Sequence, residues 1–340
     1  MTLAAIFGCA GPTLTPGERA LFAEAQPWGF ILFTRNVETP LQLMRLTDAL
    51  RDAVGRDAPI LIDQEGGRVQ RMGPPHWRLW RPPLDQMRAA TSPGAAARAM
   101  ILRYRIIAEE LRAVGIDVNC APLADLARPD THPILKNRCY GTEPVAVIGA
   151  ARAVAEGLMA GGVLPVLKHI PGHGRATADS HLELPRVDTP ARVLEAEDFA
   201  AFRGLADLPL GMTAHIVYSA FDAETPATCS PAMIRLIRET IGFSGLLMTD
   251  DIAMEALAGT PSERGRAALE AGCDLVLHCN GAWGEMQALA ADLPPMTAGA
   301  EARAAAALAA RRCPAPVDIA ALEAELDGLL TGGAHGRDHR

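Results

Sequence analysis

The sequence predicts an α/β protein built as a single (β/α)8 TIM-type barrel with extra C-terminal helices, and three observations carry that prediction. Eight short apolar runs recur along the 340 residues, each followed by a longer segment of helical period. The runs are near-continuous Val, Ile and Leu, the composition of strands covered on both faces. No G-x-G-x-x-G follows an early run, so the rival doubly wound sheet lacks its phosphate-binding mark.

The strands are expected at 3–7, 29–33, 60–62, 116–120, 163–167, 210–214, 246–248 and 275–277. Between them the apolar residues keep helical spacing. Leu43, Leu46, Leu50 and Val54 share one face, as do Ala97, Ile101, Tyr104, Ala108 and Leu111. Pro165 cannot donate to a sheet ladder, so the fifth strand is expected to start irregularly. Two helical stretches, 300–311 and 317–330, come after the eighth run. The expected organisation is a catalytic barrel over 1–295, a helical appendage packed on it over 296–331, and a frayed polar tail over 332–340.

Composition excludes several classes of function. The formal net charge is −8, from 32 Lys+Arg against 40 Asp+Glu, with no basic block to meet nucleic-acid phosphates. No apolar run approaches the ~20 residues of a membrane-spanning helix. The cysteines, Cys9, Cys120, Cys139, Cys229, Cys273, Cys279 and Cys313, are scattered and form no C-x-x-C pair, which speaks against a disulfide framework or a structural zinc site. The N-terminus lacks the basic region of a signal peptide, so a cytoplasmic location is expected. No cofactor is implied, and the oligomeric state is left open with a monomer favoured.

Barrel enzymes build their sites where strands end, so the polar residue closing each run is informative. These are Arg35 and Asn36, Asp63, Asn119, Lys168 and His169, His215, Asp250 and Asp251, and His278. Helix capping accounts for Asp63 or Asp251 singly, and poorly for the Lys and His residues.

Three segments stand out. In ILIDQEGGRVQRM (60–72), Gly66 and Gly67 allow a close backbone approach, and Arg68 and Arg71 offer planar forks for hydroxyl or carboxylate oxygens. LKHIPGHGRATADSHLELP (167–185) gathers Lys168, His169, His173, Asp179 and His181 in a Pro/Gly-containing loop suited to closing over a ligand. Asp179 and His181, two apart, suit a dyad in which a carboxylate sets the imidazole tautomer. The three histidines read alternatively as metal ligands, but their spacing matches no zinc motif. In LLMTDDIAM (246–254), a carboxylate at a strand tip is rigid and partly desolvated, as a nucleophile should be. The adjacent Asp250 and Asp251 can divide attack and capping between them.

Together DQEGGRVQR, KHIPGHG followed by ADSH, and TDDIAM resemble the glycoside hydrolase family three β-N-acetylhexosaminidases, bacterial enzymes that recycle peptidoglycan in the cytoplasm. The resemblance runs from about Phe7 to Asn280, with AHIVYSAFD (214–222) and AGCDLVLHCN (271–280) as further segments. It implies Asp250 as nucleophile, His181 as general acid/base with Asp179 as its partner, and sugar contacts from Asp63, Arg71, Arg138, Lys168 and His169. It implies no metal and an amino-sugar substrate. Lys168 is one of two lysines (the other is Lys136), and a compact ammonium suits sugar hydroxyls where a guanidinium would overfill the space. About 60 residues remain after the eighth strand, too few for the second domain that supplies a glutamate acid in many family members. The pattern departs at Ile170, at Ile252, and at Lys136 and Cys139, where Gly and Ser are more usual.

The expected reaction is a retaining, two-step removal of terminal β-linked GlcNAc, from GlcNAc-1,6-anhydroMurNAc fragments or from chitooligosaccharides, through a covalent glycosyl-Asp250. A phosphorylase on the same site is the nearest rival, distinguished by phosphate dependence. A catalytically silent sugar-binding protein would bind GlcNAc without turnover, and a metallohydrolase would be stopped by chelator.

Overall fold

A computed structural model describes residues 1–177 and 183–331. Its eight barrel strands are β1 (Leu3–Gly8), β2 (Pro27–Leu32), β3 (Ile60–Ile62), β4 (Val118–Asn119), β5 (Leu164–Ile170), β6 (Leu210–Thr213), β7 (Leu246–Asp251) and β8 (Leu275–His278). They are parallel and close in sequence order, β8 pairing with β1. All eight expected strands form, with β4 shorter than the apolar run that announced it.

The doubly apolar strands have a simple physical reason. Ala4 and Ile6 of β1 point into the barrel, where they join Ile31, Leu61, Val166, Met212, Met248 and Leu277. Ala5 and Phe7 point outward with Leu32, Ile60, Leu167 and Leu247, against the helices. Both faces are dry, so neither tolerates a polar residue. Burying each such large side chain stabilises by roughly 1.5–3 kcal/mol.

Helices follow the strands at Pro16–Ala25, Pro40–Val54, Pro93–Arg112, Pro144–Ala160, Asp198–Arg203, Pro231–Arg235 (continued through Leu236–Ile241), Pro261–Ala271 and Trp283–Asp292. Three start the same way: Thr15, Thr39 and Thr260 cap the first turn, each followed by proline, and Glu18, Gln42 and Glu263 bond back to the cap. Pro165 is tolerated for a local reason. Leu164, Val166 and Lys168 donate towards β4, so Pro165 faces the β6 side, where pairing begins only at Val166.

The helix Ala298–Ala309 closes the bottom of the barrel, with Ala300, Ala304 and Ala307 joining the inner core. Its Arg303 binds Asp274, which also accepts from Leu247 N–H and Arg238. The helix Ile319–Thr331 lies against Pro93–Arg112, tied by Arg98–Glu325 and by Arg78 to Glu323 and Asp327. No helix among the described residues is long and apolar enough to cross a membrane. The tail 332–340 lies outside them.

Candidate active site

A cavity of about 540 Å³ opens where the barrel strands end. Asp63, Arg71, Arg138, Lys168, His169 and Asp250 all line it. They come from positions 63 to 250 and from the ends of β3, β5 and β7 and the loops that follow β3 and β4. Asp179 and His181 lie outside the described residues.

The floor is an ionic network. Asp63 accepts Lys168 Nζ at 2.9 Å through Oδ1 and Arg71 Nη2 at 3.0 Å through Oδ2. Lys168 also reaches Glu65 at 2.6 Å, and Arg138 donates a two-pronged fork to Glu65 at 2.8 and 2.9 Å. Burial alone would raise both carboxyls. For Asp63 the Lys168 and Arg71 charges outweigh it, and for Glu65 the Arg138 and Lys168 charges do, so both sit below the usual carboxylate range. Lys168 is itself nearly inaccessible, and its neighbouring carboxylates raise its pKa against the opposing pull of burial. Two of its three donors serve Asp63 and Glu65, which leaves one for the cavity.

Glu65 is fully buried and was not among the residues singled out from the sequence. Its signal in the sequence is its place two residues after Asp63 in DQEGG. Those glycines do serve a close approach, but to protein and not to ligand. Gly66, at φ +102°, leaves no room for a Cβ, which would stand 1.8 Å from a guanidinium nitrogen of Arg103. At Gly67 a Cβ would meet Pro82 at 2.9 Å. Arg103, fully buried, donates to the backbone carbonyls of Glu65 and Arg81 and to Gln86 at 2.7 Å. The turn is packed tightly so that Asp63 and Glu65 are held in place.

The 167–185 segment divides similarly. Its described beginning is fixed: His173 N–H donates to Asp125 at 2.6 Å, and the Gly172 and Gly174 carbonyls accept from Tyr218 and Thr131, both at 2.6 Å. Asp125 was also missed. It is fully buried, and Oδ2 lies 2.8 Å from His169 Nδ1. A lone Asp inside the apolar stretch after β4 was the available clue. Burial raises the Asp125 carboxyl, and His169 and His173 more than compensate.

The β7 aspartates separate. Asp251 accepts Ala253 N–H and Cys279 N–H, both at 3.1 Å, and so braces the turn; burial raises its pKa. Both line the cavity, but among the described residues Asp250 accepts only the Asp251 N–H, at 2.8 Å. Burial opposes its charge, but His169 and His215 lead the influences that hold it below the ordinary carboxylate value. It is therefore an ionised carboxylate on a rigid strand, the form that attacks an electrophilic carbon. His215 is buried beneath, bonded at 2.8 Å to Thr228 and at 3.0 Å to the Asp251 carbonyl, and burial lowers its pKa.

Other strand-end residues serve the frame. Asn119 makes a two-bond pair with the Gln64 backbone, Asn36 ties the Cys9 and Gly11 carbonyls, and His278 binds Glu285 at 2.7 Å. At the rim, Arg35 and Arg68 line the cavity; Arg35 donates to the Cys9 and Cys279 carbonyls and lies over the Phe33 ring, and Arg68 donates to the Ile134 carbonyl. Among the described residues no set of three His, Cys, Asp or Glu side chains is placed to hold a metal ion.

Residues 15–312 match the glycosyl hydrolase family 3 N-terminal domain. A β-hexosaminidase of Alkalilimnicola ehrlichii is 40% identical over 283 residues, 81% of this chain and 80% of the relative. One of Xylella fastidiosa is 38% identical over 81% of this chain and 83% of its own length. NagZ from Neisseria gonorrhoeae, solved with N-trifluoroacetyl-D-glucosamine, superposes with a TM-score of 0.84 at 32% identity, covering 97% of this chain and 98% of that one. A strand-tip aspartate, a floor of paired charges and these matches lead to one conclusion: the chain belongs to glycosyl hydrolase family 3 and is a glycosidase related to the bacterial β-N-acetylhexosaminidases.

Proposed function

We propose that the protein is a retaining exo-β-N-acetylglucosaminidase that acts without a metal through a covalent glycosyl-Asp250. The observation that carries this reading is Asp250, kept ionised at the tip of β7 and facing the same cavity as Asp63, Arg71, Arg138, Lys168 and His169. The names of its relatives, and the amino-sugar derivative bound by the gonococcal NagZ, support the choice of sugar. In the first step Asp250 attacks the anomeric carbon while protonated His181 gives its proton to the leaving oxygen. In the second, neutral His181 takes a proton from water, and that water releases the sugar from Asp250. Asp179 orients His181. Asp63, with the free donors of Lys168, Arg71 and Arg138, holds the sugar hydroxyls.

We assign the aglycone to acidic muropeptide sugars of the GlcNAc-1,6-anhydroMurNAc type, which places the enzyme in peptidoglycan recycling. Arg35 and Arg68 support this assignment: each is a guanidinium at the rim with no carboxylate partner among the described residues, suited to an anionic group on the leaving sugar. Seven unpaired thiols fit a reducing, cytoplasmic setting.

The deciding experiment traps the enzyme with a fluorinated GlcNAc analogue and identifies the labelled peptide by mass spectrometry. The label is expected on Asp250, and a label elsewhere, or none with full turnover, refutes the mechanism. His181→Ala should lose far more activity on natural disaccharides than on activated aryl glycosides; equal losses remove the acid role. Turnover that requires phosphate would make the enzyme a phosphorylase. Chitobiose cleaved better than GlcNAc-anhydroMurNAc would overturn the aglycone assignment.

A further inference from the structure

Asp125 stands behind the cavity wall, out of reach of any ligand, yet its two carboxylate oxygens meet two parts of the site. Oδ2 lies 2.8 Å from Nδ1 of His169, and Oδ1 accepts the backbone N–H of His173 at 2.6 Å. The side chain is fully buried. Its backbone is locked beside β5 as well, because Ala124 N–H donates to the Lys168 carbonyl at 2.9 Å. An ionised carboxylate only accepts hydrogen bonds, so the proton between Asp125 and His169 belongs to the ring nitrogen. His169 is thereby fixed with Nδ1 protonated, and its other nitrogen, Nε2, is left for the cavity that the ring lines.

We propose that Asp125 is a positioning residue: it sets the tautomer and ring orientation of His169, so that Nε2 presents its lone pair to a sugar hydroxyl when the ring is neutral. The same carboxylate pins the first turn of the 171–176 segment, so the ring and the start of that segment are held by one group. Nearby side chains leave few substitutes. His215 is engaged by Thr228 and the Asp251 carbonyl, and Asp63 by Lys168 and Arg71. This inference rests on the reading of the cavity as the sugar site, and its test separates the two.

The test uses Asp125→Asn. An amide has one accepting oxygen, which keeps the shorter bond to His173 N–H, while its NH2 turns to His169 and forces Nδ1 to accept. The ring proton then moves to Nε2, which becomes a donor. On an aryl β-GlcNAc substrate, Asp125→Asn should lower kcat/KM by about tenfold or more, mainly through KM, because a ground-state sugar contact is changed. In a His169→Ala background the same substitution should cost less than about twofold, since its target is gone. Equal losses in the two backgrounds would overturn the proposal in favour of a purely structural role. Nitrogen-15 NMR of the ligand-free wild-type enzyme gives a readout independent of any variant's folding. His169 is expected to carry its proton on Nδ1, and a neutral ring protonated on Nε2 would overturn the proposal outright. That arm needs no substrate. A wild type that hydrolyses no GlcNAc glycoside would sink the proposed function and leave the Asp125–His169 pairing to stand or fall on the NMR.

Discussion

Replacing Glu65 by Gln tests whether the cavity floor is held by charge or merely by shape. The side chain is fully buried and takes both prongs of Arg138 at 2.8 and 2.9 Å and Lys168 at 2.6 Å. Glutamine is almost the same size, but it removes the negative charge and turns an NH2 towards a cation. Removing one partner of a buried ion pair costs about 3–5 kcal/mol, because the other charges remain buried without compensation. At about 2.1 cal/mol/K per residue, a 340-residue chain unfolds with an entropy near 0.7 kcal/mol/K, so the melting temperature should fall by roughly 4–7 °C. Lys168 and Arg138 would also shift, and KM for an aryl β-GlcNAc substrate should rise about tenfold, the equivalent of about 1.4 kcal/mol.

The pH dependence adds a signature that shape alone would not produce. The folded-state pKa of Glu65 is depressed, so its contribution is present above the unfolded value of about 4.3 and is lost as pH falls through the folded one. The stability gap between wild type and Glu65→Gln should therefore be widest near neutrality and close in acid. Calorimetry at several pH values, with steady-state kinetics at pH 7, is the assay. A melting temperature within a degree of wild type, with unchanged KM, would refute the ionic account of the floor.

Other outcomes follow from the same geometry. Lys168→Arg should cut kcat/KM by at least about a hundredfold, because a guanidinium has no room between carboxylates that already lie 2.9 and 2.6 Å from the ammonium; near-wild-type kinetics would contradict the tight-fit argument. Gly66→Ala should destabilise by roughly 2–4 kcal/mol in urea unfolding, since its φ is +102° and the new Cβ would meet Arg103. An unchanged midpoint would remove the packing role assigned to that glycine. His173 is pushed down from 6.5 to about 4, first by burial and then by neighbouring His169. Its folded pKa lies below the unfolded one, so roughly 3 kcal/mol of stability is present above pH 6.5 and is lost as pH falls from there through about 4. His173→Asn should flatten the stability profile across that window, and an unaltered acid slope in urea titrations would show that His173 is not buried neutral.

The fold was legible because barrel strands carry a strong local signal. A strand dry on both faces must be apolar at every position, and a helix dry on one face must be apolar at every third or fourth. These rules hold residue by residue, without knowledge of what packs where. Pro165 looked awkward only because the sequence does not say which neighbour each N–H of β5 faces. The cavity-lining residues were legible for a related reason: a charged group ending an apolar strand is conspicuous, and Asp63, Lys168, His169 and Asp250 all have that setting.

Glu65 and Asp125 were not legible, and the reason is physical. Each acts through partners far away in the chain: Glu65 through Arg138 and Lys168, Asp125 through His169 and His173. A buried carboxylate is tolerated only where cations or donors converge on it, and that convergence exists only once the barrel has closed. Gly66 shows the same limit, since its lack of a side chain was visible at once but the Arg103 guanidinium filling the space comes from the following helix. Which segments become strands and helices, and which charged groups stand at their ends, can be read from the residues alone, because those outcomes depend on local periodicity and burial. Which charges neutralise one another, which aspartate of the β7 pair is bonded into the turn, and which glycine makes room for protein rather than ligand emerge with the closed barrel, because electrostatic and steric contacts act over ångströms in space without regard to distance along the chain.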